Sequence, residues 1–429
     1  MEGLTLPTHR GGLRGTVLLP TSKSLTNRAL IASAVADGGT ILEPLDCADT
    51  RVLAAALRTA GWPVEWRTEI QIGARTVPEH PISIDLADSG TGSRLILALL
   101  AASPGKTVVD GSARMRERPM APLLESLIRL GAHLNSRGGF LPIEIDGERL
   151  QGGPAEMAPG VSSQFVSALV MAGPLMVNGL DLEVSGSFPS APYLDLTVDV
   201  MRAFGSELEV SDDRRRWRVT PKALDRTRYR VEGDWSAAAF VLAAVAVAGG
   251  KVELGPLDPL SRQGDRAVLK ILVDAGLRAH WIGDRVVAQG PVTAPILADL
   301  RHTPDLFPAL AVAASYAPAG SHFSGLDHLK HKESDRLTVM VENLEQLGAR
   351  LKVDENGFEV IETLGPRSGS ITRVTAAGDH RIAMAMALAA LIPGPVELDD
   401  PQCVSKSFPT FWTVWNTLLS GPGNEESAR

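Results

Sequence analysis

The segment SLIRLGAHLNS (residues 126–136) ends a helix at a glycine and continues into a strand in which apolar and polar residues alternate. A glycine just after a helix adopts the left-handed conformation that turns the chain into the next strand. The same pattern recurs with its glycines 70 to 74 residues apart, which predicts a fold built from repeats. The other copies are ALRTAGWPVEW (56–66), VMRAFGSELEV (200–210), ILVDAGLRAHW (271–281) and NLEQLGARLKV (343–353).

A second pattern of the same period consists of segments that are apolar on nearly every face of a helix. Helices this apolar belong in a protein interior, and their many alanines allow close packing. Six repeats of about 72 residues account for the 429 residues of the chain. The six segments are residues 27–39, 93–105, 163–179, 236–250, 304–320 and 379–394.

Chain length and repeat count agree on the domain organisation. A single hydrophobic core stops growing at about 250–300 residues, so a chain of this length predicts more than one domain. Each repeat holds one buried helix, one amphipathic helix and several strands, such as KVEL (251–254) and FEVIE (358–362). We therefore expect an α/β (α+β) protein with two similar domains of three repeats each.

The composition excludes several classes of protein. The net charge is −8, whereas proteins that bind nucleic acid or anionic membranes normally carry a basic face. The most apolar stretch, residues 237–248, is shorter than the roughly 20 residues that span a bilayer, and the amino terminus lacks a signal-peptide core. Cys47 and Cys403 are too few for a disulfide framework and have no metal-type spacing. We expect a cytoplasmic protein, with residues 421–429 disordered.

Three of the apolar helices start with hydroxyl or carboxylate residues that have a cation beside them. The motifs are SKSLTNR (Ser22–Arg28), DSGTGSR (Asp88–Arg94) and DHR (Asp379–Arg381). A capping residue alone only satisfies the N–H groups of a helix start. A helix start next to lysine or arginine can bind an anion, and Gly90 and Gly92 allow a ligand to approach the backbone closely.

Four further polar motifs each have a purely structural explanation. MRERP (115–119) fits a solvated loop, SSQF (162–165) a helix cap, HKESDR (331–336) a set of helix-surface pairs and SKSF (405–408) a surface lysine. If the repeats place equivalent helix starts in equivalent positions, however, all these groups converge on one cleft between the domains. Such a cleft would suit substrates that carry phosphates and carboxylates.

Nine motifs, in this order along the chain, resemble those of the 5-enolpyruvylshikimate-3-phosphate synthase family. The resemblance implies the enolpyruvyl transferase fold: two domains of three βαβαββ units, each an inside-out α/β barrel. It also implies chain crossings near Pro20 and Gly233. One domain would then comprise residues 1–20 with 233–429, the other 21–232, and the active site would lie in the cleft between them. The motifs are PTSKSLTNRAL, DSGTGSRLI, RMRERP, SSQFVSALVMAGPL, APYLDLT, TPDLFPALAV, KESDRL, GDHRIAMAMAL and DPQCVSKSFP.

The same resemblance implies the reaction and its binding residues. Members of the family transfer the enolpyruvyl group of phosphoenolpyruvate to the 5-hydroxyl of shikimate 3-phosphate and release phosphate, in the pathway to chorismate and aromatic amino acids, without a metal or cofactor. Much of the shikimate 3-phosphate site would lie in the continuous domain, and much of the phosphoenolpyruvate site in the other. The shikimate 3-phosphate residues would be Lys23, Ser24, Arg28, Ser162, Ser163, Gln164, Ser190, Tyr193, Asp305 and Lys332. The phosphoenolpyruvate residues would be Lys23, Gly90, Arg118, Gln164, Arg336, Arg381 and Lys406.

The reaction needs one base and one acid. Asp305 is predicted to accept the hydroxyl proton and Glu333 to deliver a proton to C3 of phosphoenolpyruvate, with Lys23 a possible participant. An acid that works at neutral pH needs a raised pKa, whereas the neighbouring Lys332 and Arg336 would lower it. Which effect wins stays open at the level of sequence.

Four positions bear on ligand binding. Asp88 stands where the family usually has Asn, Leu95 where many members have Pro, and His328 where an Asn often contacts the shikimate ligand. Gly90 is associated in the family with sensitivity to glyphosate. We therefore expect glyphosate to inhibit the protein.

Two other functions are compatible with a repeat architecture. UDP-N-acetylglucosamine enolpyruvyl transferases share the fold, but they carry a reactive cysteine where this chain has Ala113, five residues before Arg118. A non-catalytic repeat scaffold that binds a protein partner would not require Lys23, Asp305, Glu333, Arg381 and Lys406 together. The enzyme is expected to be a monomer, because closure of its own two domains completes the site.

Overall fold

Two units, each with its own hydrophobic core, make up the protein, whose structure is a computed structural model. It describes residues 3–6, 8–9, 11–158, 162–186, 190–355, 357–365, 371–391 and 394–420. The tail at 421–429, for which the sequence predicts disorder, lies outside the described residues. What we call the discontinuous unit comprises Met1–Pro20 and Glu232–Arg429, and the continuous unit comprises Thr21–Val231.

The chain starts in the discontinuous unit and then builds the whole of the continuous unit. The first two strands are β1 (Leu4–Leu6) and β2 (Leu13–Leu18). The continuous unit follows in the order α1 (Lys23–Val35), β3 (Gly39–Leu42), α2 (Ala48–Thr59), β4 (Val64–Trp66), β5 (Ile70–Ile72), β6 (Ile82–Asp85), α3 (Gly90–Ala101), β7 (Gly105–Asp110), α4 (Ala113–Arg116), α5 (Ala121–Arg129), β8 (His133–Arg137), β9 (Phe140–Gly147), β10 (Gly153–Met157), α6 (Ser163–Ala172), a 3-10 turn (Gly173–Leu175), β11 (Leu180–Val184), α7 (Pro192–Ala203), β12 (Leu208–Val210), β13 (Arg216–Val219) and β14 (Arg228–Arg230).

The chain then returns and completes the discontinuous unit. Its elements are α8 (Trp235–Ala248), β15 (Gly250–Gly255), a 3-10 turn (Gly264–Arg266), α9 (Ala267–Asp274), β16 (Arg278–Ile282), β17 (Arg285–Gly290), β18 (Leu297–Asp299), a 3-10 turn (Pro304–Leu306), α10 (Phe307–Tyr316), β19 (His322–Ser324), a 3-10 turn (Asp327–His331), α11 (Arg336–Gln346), β20 (Arg350–Asp354), β21 (Gly357–Glu362), β22 (Thr372–Val374), α12 (His380–Ala389), β23 (Val396–Leu398), a 3-10 turn (Pro401–Lys406) and α13 (Phe411–Ser420).

One strand order recurs in the sheets of both units. In each four-stranded sheet two parallel strands are followed by two antiparallel ones, which is the order that a βαβαββ repeat produces. The sixth sheet has three strands, β22-β23-β1. The predicted fold class is therefore confirmed. The four-stranded sheets are β14-β3-β5-β4, β6-β7-β9-β8 and β10-β11-β13-β12 in the continuous unit, and β16-β17-β15-β2 and β18-β19-β21-β20 in the discontinuous unit.

Strands from distant parts of the chain complete three of these sheets. β14, the last strand of the continuous unit, pairs in parallel with β3, the first one. In the discontinuous unit β2 pairs in parallel with β15, and β1 pairs antiparallel with β23 near the other end of the chain. Each unit is thus completed by strands that lie next to the two crossings or at the amino terminus.

The six apolar segments form the central helices of the two units. In the continuous unit α1, α3 and α6 contact one another, and α8, α10 and α12 do so in the discontinuous unit. These helices are buried almost throughout, while outer strands such as β9 alternate exposed and buried residues. The helices are therefore inside and the sheets outside. Although these central helices are apolar, no helix among the described residues is long and apolar enough to cross a membrane.

The five repeated glycines adopt the conformation that the sequence predicts. Their φ angles lie between 79° at Gly205 and 104° at Gly131, a region that residues with a Cβ rarely adopt. At Gly61 a side chain is also excluded by space, because a Cβ there would overlap the carbonyl group of Thr76. Each glycine lets the chain turn from an amphipathic helix into the antiparallel pair of its sheet.

Candidate active site

The polar motifs of the continuous unit lie at the starts of its three central helices. Ser24 and Arg28 lie inside α1, because the helix already begins at Lys23. The residue before each helix and the first helical residue are Ser22 and Lys23 for α1, Ser89 and Gly90 for α3, and Ser162 and Ser163 for α6.

Two of the three serines that precede these helices do not cap them. Ser162 Oγ accepts a hydrogen bond from the Gln164 backbone N–H at 3.3 Å. The hydroxyls of Ser22 and Ser89, in contrast, are buried and have no hydrogen-bond partner among the described residues. Two helix starts with uncommitted hydroxyls can receive an anion, because N–H groups and the helix dipole both favour negative charge there.

Arg118 lies against the start of α3 and is the second feature that favours an anion. The side chain is 7% exposed, its Nε has no partner among the described residues, and its Nη1 donates only to Met115 Sδ at 3.5 Å. No ion pair joins it to a carboxylate in the described part of the chain. A Cβ at Gly90 would lie 3.0 Å from Arg118 Cζ, so glycine leaves room for the guanidinium beside the helix.

Gln164 is held between α3 and α6 by two side chains of the DSGTGSR motif. Arg94 Nη1 donates to Gln164 Oε1, and Gln164 Nε2 donates to Thr91 Oγ1 at 3.1 Å. Arg94 also lies over the ring of Phe165. Arg94 was not among the predicted site residues, because an arginine inside an apolar helix gives no sign of its partner.

Arg28 is buried among neutral acceptors. Its Nε donates to Thr197 Oγ1 at 2.8 Å, its Nη1 to the Ser24 carbonyl and its Nη2 to the Tyr193 carbonyl, both at 3.0 Å. Burial lowers the pKa of Arg28 to about 10, against the opposing effect of Tyr193. Arg28 therefore stays charged at neutral pH, and it ties α1 to α7, where Tyr193 lies.

Lys23 and Ser190 occupy the edges of this group. Lys23 Nζ pairs with Asp49 Oδ2 at 3.0 Å, and Asp49 lies in the first turn of α2. Asp49 was not predicted, and its only signal is its place at a helix start next to a lysine motif. Ser190 is buried and has a positive φ of 61°, a strained conformation for serine just before α7.

In the discontinuous unit one arginine joins three carboxylates. Arg336, the first residue of α11, is 1% exposed. Its Nε donates to Asp379, its Nη1 to Asp305 and its Nη2 to Glu333, each at 2.7 Å. Burial by itself would lower the pKa of Arg336, but the three carboxylates raise it well above its usual value. The guanidinium is permanently charged and fixes the relative positions of the three acids.

Asp305 is surrounded by further cations. Arg381 Nη2 lies 2.9 Å from Asp305 Oδ2, and Lys332 Nζ lies 3.5 Å from Asp305 Oδ1. Burial opposes ionisation of this carboxyl, but Arg381, Lys332 and Arg336 outweigh it and hold the pKa of Asp305 well below its usual value. Asp305 is therefore ionised and is a weak base while no ligand is bound.

Glu333 and Asp379 complete the cluster. Lys406 Nζ, from the 3-10 turn Pro401–Lys406, lies 3.6 Å from Glu333 Oε1. Asp379 caps α12 by accepting the backbone N–H of Arg381 at 2.9 Å while it also binds Arg336. Asp379 was not predicted to be a site residue, because an aspartate before an apolar helix looks like an ordinary cap.

His328 lies next to this cluster with an uncharged ring. It is half-buried in the 3-10 turn Asp327–His331, and its Nε2 has no partner among the described residues. Burial, reinforced by the positive charge of Lys332, lowers the pKa of His328 to about 4. A neutral imidazole can replace an asparagine as a hydrogen-bonding group without adding charge.

The predicted residues form contacts within each unit. In the continuous unit Arg28 contacts Ser24 and Tyr193, and Arg118 lies beside Gly90. In the discontinuous unit four cations surround the two predicted proton-transfer carboxylates. This second cluster consists of Asp305, Lys332, Glu333, Arg336, Asp379, Arg381 and Lys406.

Known proteins resemble the chain along nearly its full length. The family model EPSP synthase (3-phosphoshikimate 1-carboxyvinyltransferase) matches residues 7–415. A 3-phosphoshikimate 1-carboxyvinyltransferase of Methanoculleus marisnigri is 40% identical over 403 residues, which are 92% of this chain and 94% of that protein. The protein of the same name from Syntrophobacter fumaroxidans is 37% identical over 423 residues, 95% of this chain and 98% of that protein.

Solved structures of the same architecture are more distant in sequence. EPSP synthase from Acinetobacter baumannii aligns with a TM-score of 0.79 at 24% identity, over 97% of this chain and 98% of that one. The enolpyruvyl transferase NikO from Streptomyces tendae aligns with a TM-score of 0.75 at 20% identity, over 97% of each chain. Both share the fold described above.

Proposed function

Because the chain belongs to the EPSP synthase (3-phosphoshikimate 1-carboxyvinyltransferase) family, we propose that its two polar clusters bind phosphoenolpyruvate and shikimate 3-phosphate and move the protons of enolpyruvyl transfer. The protein is a transferase of the shikimate pathway to aromatic amino acids, as the motifs predicted. Membership of this family disfavours both the UDP-sugar transferase and the non-catalytic scaffold.

One observation carries the assignment of the chemistry: Arg336 holds Asp305 and Glu333, one on each of its two Nη atoms. Addition of a hydroxyl to the double bond of an enol phosphate requires a base for the hydroxyl proton and an acid for the carbon. Here two carboxylates stand at a fixed separation within a cluster of cations that can bind phosphate and carboxylate.

The proposed reaction has two stages. Asp305 accepts the proton of the 5-hydroxyl as that oxygen bonds to C2 of phosphoenolpyruvate. Glu333, which takes up a proton to become a carboxylic acid when the substrate anions bind beside Arg336 and Lys406, gives that proton to C3, with Lys23 as a second candidate donor. In the second stage C3 returns a proton to Glu333, the double bond between C2 and C3 forms again, and phosphate leaves C2 with the proton held by Asp305. Both carboxyl groups end in their starting states.

Binding of the substrates would prepare Asp305 for its role. Phosphoenolpyruvate carries a phosphate and a carboxylate, which are the groups that arginine binds through two parallel hydrogen bonds. When these anions bind beside Arg336 and Arg381, part of the positive charge around Asp305 is neutralised, and the pKa of Asp305 rises. The base therefore becomes stronger when its substrate is present.

The remaining predicted residues are assigned to substrate binding. We place phosphate and carboxylate groups at the helix starts and cations, and the shikimate ring near Gln164, Tyr193 and His328. Arg118, with Gly90 beside it, is assigned to phosphoenolpyruvate because it is buried without a carboxylate partner in the described part of the chain.

The test is release of phosphate from phosphoenolpyruvate by the purified protein. Activity is expected with shikimate 3-phosphate and absent with UDP-N-acetylglucosamine or without an acceptor. Asp305→Asn and Glu333→Gln are each expected to lower kcat by about 100-fold or more, the usual effect of losing a general acid or base. Asp274→Asn, which removes an exposed carboxylate of α9, is the control. Full turnover by Asp305→Asn would refute the assignment of the base.

Inhibition by glyphosate tests the Gly90 assignment. A Cβ at position 90 would displace the Arg118 guanidinium, so Gly90→Ala is expected to raise both the KM for phosphoenolpyruvate and the glyphosate concentration needed for inhibition. Wild-type activity that is unchanged at high glyphosate would contradict this part of the proposal. We also propose a cytoplasmic monomer, and light scattering at working concentration distinguishes it from a dimer.

A further inference from the structure

Asp265 is a buried carboxyl group that the proposed reaction does not use. It lies in the 3-10 turn Gly264–Arg266 and is 3% exposed. Ser236 Oγ donates a hydrogen bond to Asp265 Oδ2, whereas Oδ1 has no partner among the described residues. No lysine or arginine of the described chain forms an ion pair with it. The carboxyl therefore lies in the interior with only one hydrogen bond.

Such a group is costly to keep. A carboxylate that leaves water without a cation or a full set of hydrogen bonds destabilises the folded state. Burial, together with the negative charge of the neighbouring Asp305, raises the pKa of Asp265 to about 6 against the opposing effect of Arg381. Buried acids of this kind are concentrated at functional sites, and an asparagine or leucine would serve packing better.

Asp265 and Asp305 lie in turns that pack against the same helix, α8. The turn that carries Asp265 and the turn that carries Asp305 (Pro304–Leu306) both contact this helix. Gln263 anchors the loop before Asp265, because its Nε2 donates to the Gly233 carbonyl and to Glu232 Oε1, both at 2.7 Å. The two turns therefore share one helix as their support, and the charge of Asp305 acts on Asp265.

The charged groups around Asp265 are few. Asp234, which caps α8, and Asp305 add negative charge, and Arg381 of α12 adds positive charge. On α9 the charged side chains are Lys270 and Asp274, which are exposed and paired with each other. In the turn itself Arg266 donates to the Ser261 carbonyl at 3.3 Å.

We propose that Asp265 is a positioning residue for the reaction, whose negative charge keeps Asp305 a stronger base than the surrounding cations alone would allow. The inference rests on the proposed role of Asp305 as the base. A like charge nearby raises the proton affinity of a carboxylate, and a change of one pKa unit corresponds to tenfold in a proton equilibrium. Arg381, Lys332 and Arg336 lower the pKa of Asp305 and Glu333 raises it, and the negative charge of Asp265 acts in the same direction as that of Glu333.

The test compares Asp265→Asn with the wild type across pH. The kcat is measured from pH 5 to pH 8.5 at saturating phosphoenolpyruvate and shikimate 3-phosphate. Because both substrates are saturating, ionisation of the free substrates does not affect the measured kcat. At pH 5 the wild-type Asp265 is mostly protonated, and the two proteins should have similar kcat. Above pH 7 the wild type should be faster by about tenfold, with the ratio changing around pH 6. Asp274→Asn should give a ratio near one throughout.

Ser236→Ala provides a second variant, which keeps the Asp265 carboxyl but makes it harder to ionise. The Ser236 hydroxyl stabilises the ionised form of Asp265, so its loss should move the pH at which kcat rises to a higher value. Carbon-13 NMR of labelled aspartate in the wild type should show a carboxyl that titrates near pH 6 and is missing from Asp265→Asn. This readout does not depend on activity.

Two results would overturn the inference: a ratio of kcat values that is constant across pH, or a resonance of Asp265 that titrates near pH 4. Either outcome would make Asp265 a structural residue. A wild-type protein that turns over neither substrate would instead refute the proposed function itself. An Asp305→Asn protein with the kcat of the wild type would refute the role of Asp305 as the base, on which the inference rests.

Discussion

At the scale of single residues, the buried carboxyl of Asp265 lowers the free energy of unfolding of the protein. Asp265 has a folded-state pKa of about 6, above the usual value of 3.8. A group with a raised folded pKa binds its proton more tightly when folded, so its stabilising contribution is full below pH 4 and is lost as pH rises through 6. The shift corresponds to about 3 kcal/mol at neutral pH, to order of magnitude.

Asp265→Asn should therefore stabilise the protein in a pH-dependent way. Urea unfolding at pH 8 is expected to show a free energy of unfolding higher than that of the wild type by up to about 3 kcal/mol, and at pH 4 little difference. The discontinuous unit should be the one that becomes more stable, since Asp265 lies in its core. A variant that is less stable than the wild type at pH 8 would contradict the pKa argument.

Arg336 shows the opposite case, in which charge is buried with all its partners. An ammonium group cannot bind three carboxylates in the planar arrangement of a guanidinium. Arg336→Lys is therefore expected to lower kcat by about 100-fold or more and to lower Tm, because Asp305, Glu333 and Asp379 lose their common partner. Arg350→Lys, at an exposed pair with Glu362, is the matched control and should change neither.

At the scale of elements, the glycines that end the amphipathic helices divide into two classes. Gly61 and Gly348 have φ angles of 99° and 100° at equivalent repeat positions. A Cβ at Gly348 would meet nothing within 4 Å, whereas a Cβ at Gly61 would overlap the carbonyl of Thr76. Gly348→Ala should cost about 1–2 kcal/mol from the backbone conformation alone, and Gly61→Ala clearly more. If thermal unfolding showed the same loss of stability for both variants, the overlap of a Cβ at position 61 with the Thr76 carbonyl would not contribute to the difference.

The sequence predicted these helices and strands well. Apolar segments and glycines that recur at a fixed spacing can be recognised from residues close together in the chain. Each central helix appears where its apolar segment lies, and the strands follow the repeated glycines. Partnerships were harder to predict, because they join residues far apart in the chain. Three contacts depend on how helices pack together: the hydrogen bond from Arg94 to Gln164, the ion pair of Arg336 with Asp379 and the ion pair of Lys23 with Asp49. Asp265 gave no sequence signal at all, since its importance comes only from its burial.

At the scale of the whole molecule, the order of the chain and the order of the repeats do not coincide. The amino-terminal strands β1 and β2 belong to sheets whose other strands come from the second half of the chain. The continuous unit, in contrast, closes its first sheet with its own last strand, β14, paired to β3. The two units should therefore differ in their ability to fold from a single uninterrupted segment.

We predict that residues 21–231 fold when expressed alone and that residues 232–429 do not. The first fragment keeps all three of its sheets and its core. The second lacks β2, which leaves β15 an open edge along six residues, and lacks β1, which leaves the sheet of β22 and β23 with two strands. A two-stranded sheet is marginally stable, and an exposed edge favours aggregation. Joining residues 1–20 to the carboxyl end of the second fragment through a flexible linker should restore cooperative unfolding, whereas joining a linker and a scrambled copy of residues 1–20 should not.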